Sequence, residues 1–394
     1  MKELQTPYFL IKKNELDEGL RTLKEALSIH FPGGYTIGYS YKTNALPWVI
    51  NYFKNNGCYA EVVSDDEYHL AKTIGIEKSK IVYNGPIKTK ETFYDALQND
   101  CFVNIDSQRE IDWLKTFPQK SEYRKLGIRV NFDLEKQCPN QSQCGDEGGR
   151  FGFCYENGEL EKAINRIKEY GFCVNGLHLH CSSKTRSLDI YRAISKMACE
   201  ITSAFKLSLT YIDIGGGFFG GLPQKPQFND YCKVISEELS KGFDLRDLHI
   251  IVEPGMALIG SPVDFVSSVI DVKSTSYNRF IITDGSRTNI DPLMTKKSYF
   301  MEANLKETNR DIISKQVLCG FTCMEHDRLT VVENGMELLP GDKIIFHKVG
   351  AYTMCLSPLF IRYFPDVYVI DNDGILKVRD RWTPEDYLTG SKEI

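Results

Sequence analysis

The feature that most constrains this chain is a long alternation of strand-like and helix-like segments. "YTIGYS", from Tyr35, follows a Gly33-Gly34 turn signal and mixes aromatic, β-branched and small residues, the pattern of a buried strand. "LPWVINYFKNNG" then reads as a helix closed by glycine, "YAEVVS" as a strand and "DDEYHLAKTIG" as a helix. Further strands follow in "KIVYNG", "CFVNID", "YRKLGIRVNF", "VNGLHLHCSS", "LTYIDIGGG" and "LHIIVEPG", mostly separated by helical segments such as "NGELEKAINRIKEYG" and "RSLDIYRAISKMACEITSAF". That makes eight strands. Alternation of this kind implies a parallel sheet. Eight units predict a closed (β/α)8 TIM-like barrel, in which functional residues gather at the carboxyl ends of the strands. A doubly wound open sheet is the runner-up.

From about Leu258 the texture changes. "VDFVSSVIDVKST", "RFIITDG", "LTVVEN", "DKIIFHKVG" and "VYVIDNDGILKVRD" are short strands with turn residues between them, which predicts an antiparallel β domain. "YFLI", before the first helix, is strand-like but has no barrel position to fill.

The 394 residues suit one large domain plus a second, and 42% hydrophobic with 26% charged residues is the balance of a globular chain. A formal net charge of −5 argues against a nucleic-acid partner. No apolar run reaches the ~18 residues a membrane helix needs. "MKELQTPYFLIKKNELDEG" lacks the apolar core of a signal peptide, so a cytoplasmic protein is expected. Twelve cysteines are scattered without a CxxC pair, and Cys138 and Cys144 have no matching pair at zinc spacing. No metal site is expected, and most of these thiols read as reduced core residues.

Lys42, Glu61, Asn84, Arg129, His180, Gly215 and Glu253 all fall at or near strand ends. A buried, unpaired ammonium is costly, so Lys42 must reach water, find a partner or do chemistry. "DIGGGFFGG" places Gly215, Gly216 and Gly217 after a strand, where backbone N–H groups can cradle a phosphate. It is neither a dinucleotide fingerprint nor a P-loop. Each residue alone has a plainer reading: a lysine snorkelling to water, a turn, a structural histidine, a carboxylate cap. Together they describe a site for pyridoxal 5'-phosphate. That cofactor needs a lysine, a phosphate cradle and an acid facing its ring nitrogen.

With "YSYKTN", "EVVSDDE", "GIRVN", "RFGF", "HLHCSS", "DIGGGF", "VEPG", "CGFTCMEHDRL" and "GAYTM" in this order, the chain resembles the ornithine/diaminopimelate decarboxylase family, the fold-type III pyridoxal phosphate enzymes, along nearly its whole length. The resemblance implies a carboxy-lyase that removes the α-carboxylate of an amino acid. It implies that Lys42 bonds the cofactor, with Glu61 and Glu67 beside it. Arg129 lies near the ring and His180 stacks on its face. Ser183, Gly215, Gly216 and Gly217 hold the phosphate, with Gly255 alongside. Glu253 partners the ring nitrogen, and Tyr352 reaches the phosphate from the β domain. Cys323, supplied by the neighbouring subunit of a homodimer with shared active sites, helps return a proton to the substrate carbon. Met324, Glu325 and Tyr352 are the expected substrate contacts. Because the family builds its β domain from both chain ends, residues 18–262 are assigned to the barrel, and 1–17 with 263–394 to the β domain.

Two positions depart from the family pattern. Met256 follows "VEPG" where an arginine is usual, which removes a charge-assisted contact unless Arg150 or Arg287 replaces it. Met324 follows Cys323 where an acid is usual, with Glu325 one place later, and on a strand that slip reverses the face. Either both positions drift without consequence and the substrate is diaminopimelate- or ornithine-like, or the substrate is a less polar, larger or conjugated amino acid of a specialised pathway, which fits two methionines. A racemase of the same fold is a rival, but Glu253 opposes it. An inactive regulatory homologue is another, but both Lys42 and Cys323 are present.

Overall fold

The computed structural model describes residues 4–118 and 125–392. Tyr123 and Arg124, at the start of the expected strand "YRKLGIRVNF", and the first three residues of the N-terminal segment lie outside the described residues. The chain divides into two compact units, Gly19–Ala257 and Met1–Glu18 with Leu258–Ile394. The first strand, β1 (Tyr8–Lys12), belongs to the second of these.

The unit Gly19–Ala257 is a closed parallel barrel. Its strands are β2 (Tyr35–Ser40), β3 (Tyr59–Ser64), β4 (Ile81–Ile87), β5 (Phe102–Ile105) and β6 (Leu126–Asn131). A two-residue strand β7 (Phe153–Cys154) pairs with the end of β6 outside the ring. The ring continues with β8 (Gly176–His178), β9 (Tyr211–Asp213) and β10 (His249–Val252), and β10 pairs back onto β2. All eight pairings around the ring are parallel. The strands are short and almost wholly buried, as strands covered on both faces must be.

Packing inside the barrel is layered. Val82, Phe102, Tyr211 and Ile251 form one apolar cluster. Glycines make room for it: a Cβ on Gly176 would lie 2.1 Å from the Tyr211 ring, and one on Gly127 would lie 2.3 Å from its hydroxyl. The helices cover the outside with single apolar faces. In Glu159–Glu169, the buried residues Leu160, Ala163, Ile164 and Ile167 recur at helical spacing. Glutamates in its first turn and Arg166 and Lys168 in its last complement the helix dipole.

The second unit holds a nine-stranded sheet. Its strands are β1, β11 (Val263–Ser274), β12 (Arg279–Thr283), β13 (Phe300–Asn304), β14 (Ile312–Cys319), β15 (Arg328–Met336), β16 (Lys343–His347), β17 (Asp366–Asp371) and β18 (Gly374–Arg379). β1 fills the gap between β11 and β17: Tyr8 faces Val266 on one side and Asp366 on the other. Most pairings are antiparallel, but β1 with β17 and β12 with β14 are parallel. β13 and β14 are strands the sequence pattern did not single out. Among the described residues, no helix is long and apolar enough to cross a membrane.

Candidate active site

β2 stops at Ser40, and a single 3-10 turn, Tyr41–Thr43, carries Lys42 beyond the strand end. The lysine reaches both water and a partner: its side chain is 38% exposed, and Nζ lies 2.8 Å from Oε2 of Glu61, itself only 1% exposed. Glu61, on β3, also accepts from Ser40 Oγ at 2.5 Å and from Asn84 Nδ2 at 3.1 Å. Glu67 caps the backbone behind it, accepting from Val63 N at 2.8 Å. Burial pushes the Glu67 pKa up to about 7 and the Glu61 carboxylate adds to this, against the Val63 hydrogen bond.

Across the barrel, β9 and β10 supply a second acidic group. Asp213, His178 and Glu253 are buried, and their polar atoms lie within 4.8 Å of one another. Burial first, and then the Glu253 charge, drive the Asp213 pKa well above the carboxylate range, so it carries a proton. Burial works against the Glu253 carboxylate too, but the His178 imidazole, the Lys42 ammonium and the Asp213 hydrogen bond outweigh it and hold its pKa low. The trio is thus arranged to share a proton between Asp213 and Glu253. Neither ring nitrogen of His178 has a hydrogen-bond partner among the described residues, although Nε2 is 3.6 Å from Glu253 Oε2.

His180 lies two residues beyond β8, its ring nearly parallel to that of His178 with centroids 6.4 Å apart. Burial, helped by the Arg129 charge, lowers its pKa to about 3, so the ring is neutral. Nδ1 accepts from Gly216 N at 3.3 Å, which leaves the proton on Nε2. The glycine turn wraps this histidine closely. Gly215 and Gly217 have φ of +73° and +90°, and a Cβ on Gly215 would lie 2.4 Å from His180 Cβ. A Cβ on Gly216 would lie 2.2 Å from Glu253 O. Tyr191 OH, at 3.0 Å from Gly216 O, pins the turn from behind. Gly255 packs where a Cβ would meet Thr43 Oγ1 at 2.0 Å, so the Pro-Gly turn after β10 lies against the Lys42 turn.

Arg129 on β6 is held by Asp106, Nη1 to Oδ2 at 2.8 Å, and its guanidinium lies 4.6 Å from the Phe151 ring centroid. Gly152 N fixes the other Asp106 oxygen at 3.0 Å. A cavity of about 540 Å³ opens here, lined by Arg129, Asn131, Cys144, Arg150, His180 and Cys181 among others. Ser183 is bridged to Ser142, a lining residue, across two loops, with Oγ accepting from Arg186 N at 3.1 Å.

The remaining candidates lie in the β unit. Cys323 is an exposed free thiol in the bend between β14 and β15. Met324 beside it is partly buried, and the Glu325 side chain is fully exposed with Arg328 3.9 Å away. Tyr352 is half-buried, with a left-handed φ of +56°. Arg287 is engaged by Asp291 at 3.1 Å, whereas Arg150 stacks over Phe151 at 4.1 Å. Met256 opens the four-residue helix Met256–Ile259.

Lys42, Glu61, Arg129, His180, Gly215, Gly216, Gly217, Glu253 and Gly255 therefore converge at one end of the barrel. Sequence reasoning missed the groups that hold them: Asn104, Asp106, His178 and the proton on Asp213. The available signal was the buried asparagine inside apolar strands, "VYNG" and "FVNI", since a polar side chain there must be paired. The chemistry of the set fits a phosphorylated pyridine aldehyde. It combines a half-exposed amine, a low-pKa carboxylate for a ring nitrogen, a flat neutral imidazole and a glycine turn that leaves no room for side chains.

Comparison with known proteins agrees. Residues 14–260, more than half of the chain, match the family model described as "Pyridoxal-dependent decarboxylase, pyridoxal binding domain". The chain belongs to this family. Among relatives of this pyridoxal-dependent decarboxylase is a probable chloroplastic diaminopimelate decarboxylase of Oryza sativa subsp. japonica. It is 27% identical, over 98% of this chain and 79% of the relative. The fold matches diaminopimelate decarboxylase from M. jannaschii in complex with L-lysine, with a TM-score of 0.86 and 22% identity over 99% of this chain and 92% of that one. It also matches a lysine/ornithine decarboxylase from Vibrio vulnificus in complex with cadaverine, with a TM-score of 0.76 and 22% identity over 94% and 96% of the two chains.

Proposed function

We propose that this chain is a pyridoxal 5'-phosphate-dependent carboxy-lyase that removes the α-carboxylate of an amino acid to give an amine. The observation that carries the proposal is the pairing, in one barrel mouth, of Lys42 with a buried carboxylate and of Glu253 with an environment that keeps its pKa low. When bound, the cofactor supplies an electron sink for the pair left behind as CO2 departs.

The protein's own groups do the rest. Lys42 holds the cofactor aldehyde, and Glu61, 2.8 Å away, orients the amine and can take or return its proton. Glu253 keeps a ring nitrogen protonated, and this favours decarboxylation over racemisation, which works better with a weak sink. Neutral His180 would pack against the cofactor and exclude water without adding charge. The turn Gly215, Gly216 and Gly217, with Ser183 and Tyr352, holds the phosphate. Arg129, fixed by Asp106, would stand beside the bound cofactor. Cys323, from the partner in a homodimer, delivers a proton to the substrate carbon.

The relatives named above decarboxylate diaminopimelate or act on lysine and ornithine. Met256 and Met324 point to a substrate with a less polar distal end than these. Met324, Glu325 and Tyr352 are the proposed distal contacts. Twelve free cysteines support a reducing compartment such as the cytoplasm.

The test is CO2 release by the purified protein, supplied with pyridoxal phosphate, across meso-diaminopimelate, ornithine, lysine, arginine and glutamate in both configurations, extended to apolar amino acids. Release from one substrate is expected. Racemisation without CO2, or binding of the cofactor with neither reaction on any substrate, would contradict the proposal.

A further inference from the structure

Asn84 lies in the buried run of β4, which ends at Gly85. Ile81, Val82 and Tyr83 before it are 0% exposed, and Asn84 itself is 1% exposed. Its amide nitrogen donates to Oε1 of Glu61 at 3.1 Å and also to Oε1 of Glu253. These are the partner of Lys42 and the proposed partner of the ring nitrogen. One NH2 group thus contacts both carboxylates that define the ends of the site.

The direction of this amide is fixed from behind. Asn84 Oδ1 accepts from Asn104 Nδ2 at 2.8 Å, and the same Asn104 nitrogen reaches Asp213 Oδ2 at 3.1 Å. Asn104 Oδ1 in turn accepts from Tyr211 OH at 2.9 Å. Turning Asn84 over would place its oxygen against two carboxylates and its nitrogen against another amide nitrogen. All four amide hydrogens have acceptors in the observed arrangement, so the network is complete.

We propose that Asn84 is a positioning residue, one amide that ties Glu61 to Glu253 and so keeps the lysine end and the acid end of the site in register. This rests on the reading of Lys42 and Glu253 as cofactor partners. A donor aimed at an ionised carboxylate favours its charged form, so losing the donor moves protonation to higher pH. Asn84 acts through the carboxylates, which distinguishes it from a buried asparagine that only completes a core.

The experiment uses the holoenzyme and reads the absorbance of the bound cofactor against pH, with its dissociation constant, in wild type, Asn84→Ala and Asn84→Asp. Asn84→Asp keeps size and shape, so the test survives if Asn84→Ala fails to fold. In Asn84→Ala the acidic midpoint should rise by about one pH unit and the affinity should weaken roughly tenfold. In Asn84→Asp the midpoint should rise further, because a third carboxylate is added. Unchanged midpoint and affinity in the folded variants, whatever their melting temperature, would overturn the inference. A wild type that binds no cofactor would instead overturn the functional reading beneath it.

Discussion

At the scale of single residues, Lys42 shows how far the sequence could be read. Its position suggested a lysine on a strand end. The structure moves it one turn beyond, where the side chain meets solvent and Glu61 together. The type of residue was legible, but its pairing with Glu61, 19 residues on along the next strand, was not. Substituting Lys42→Ala should abolish turnover, lowering kcat by at least roughly a thousandfold, and remove the absorbance of lysine-bound cofactor. Glu67 gives a pH prediction. Its folded pKa, about 7, lies above the value of 4.5 for an unperturbed glutamate. The folded state therefore binds the extra proton between those two values, and stability falls as pH rises through that window. Glu67→Gln should erase this loss, so the variant should gain on wild type in melting temperature from pH 5 to pH 8. The difference at pH 8 should be at most on the order of 3 kcal/mol. A constant difference across that range would contradict the assignment.

At the scale of elements, the barrel strands were readable because parallel strands buried on both faces are apolar runs. β13 and β14 were not readable, because β13 is exposed along most of its length and only the second half of β14 is buried. They are held by backbone pairing with β16, β12 and β15, which leaves no apolar period to detect. The glycine turn after β9 was visible as sequence, but its fit against His180 and Glu253 was not. Gly216→Ala should displace that turn, since its Cβ would lie 2.2 Å from Glu253 O. Titration with pyridoxal phosphate should show affinity weakened by roughly tenfold or more, with the far-UV spectrum unchanged. A second buried device ties β4 to the helix after β5. Lys88 and Glu110 are both fully buried, 2.9 Å apart, and Lys88 also donates to Gly85 O and Asn104 O. Glu110→Ala leaves that ammonium unpaired and should cost about 3–5 kcal/mol in urea unfolding.

At the scale of the molecule, the chain returns to its beginning: β1 pairs with β11 and β17, which explains why "YFLI" had no barrel place. The roles proposed for Cys323 and Tyr352 rest on the family resemblance, since no local pattern marks either residue. If Cys323 serves the partner's barrel in a homodimer, two variants disabled in different units should complement each other. Mixing Lys42→Ala with Cys323→Ala under conditions that exchange subunits should restore about a quarter of wild-type activity, because heterodimers then hold one intact site in two. Recovery limited to the residual activity of Cys323→Ala alone would show that each chain completes its own site.

The most direct test of the central claim is to reduce the holoenzyme with borohydride, which makes a lysine-bound pyridoxal permanent, and to map the modified peptide by mass spectrometry. The account predicts a single phosphopyridoxyl group on Lys42, absent from Lys42→Ala. A group on any other lysine, or none in protein that has bound the cofactor, would contradict it.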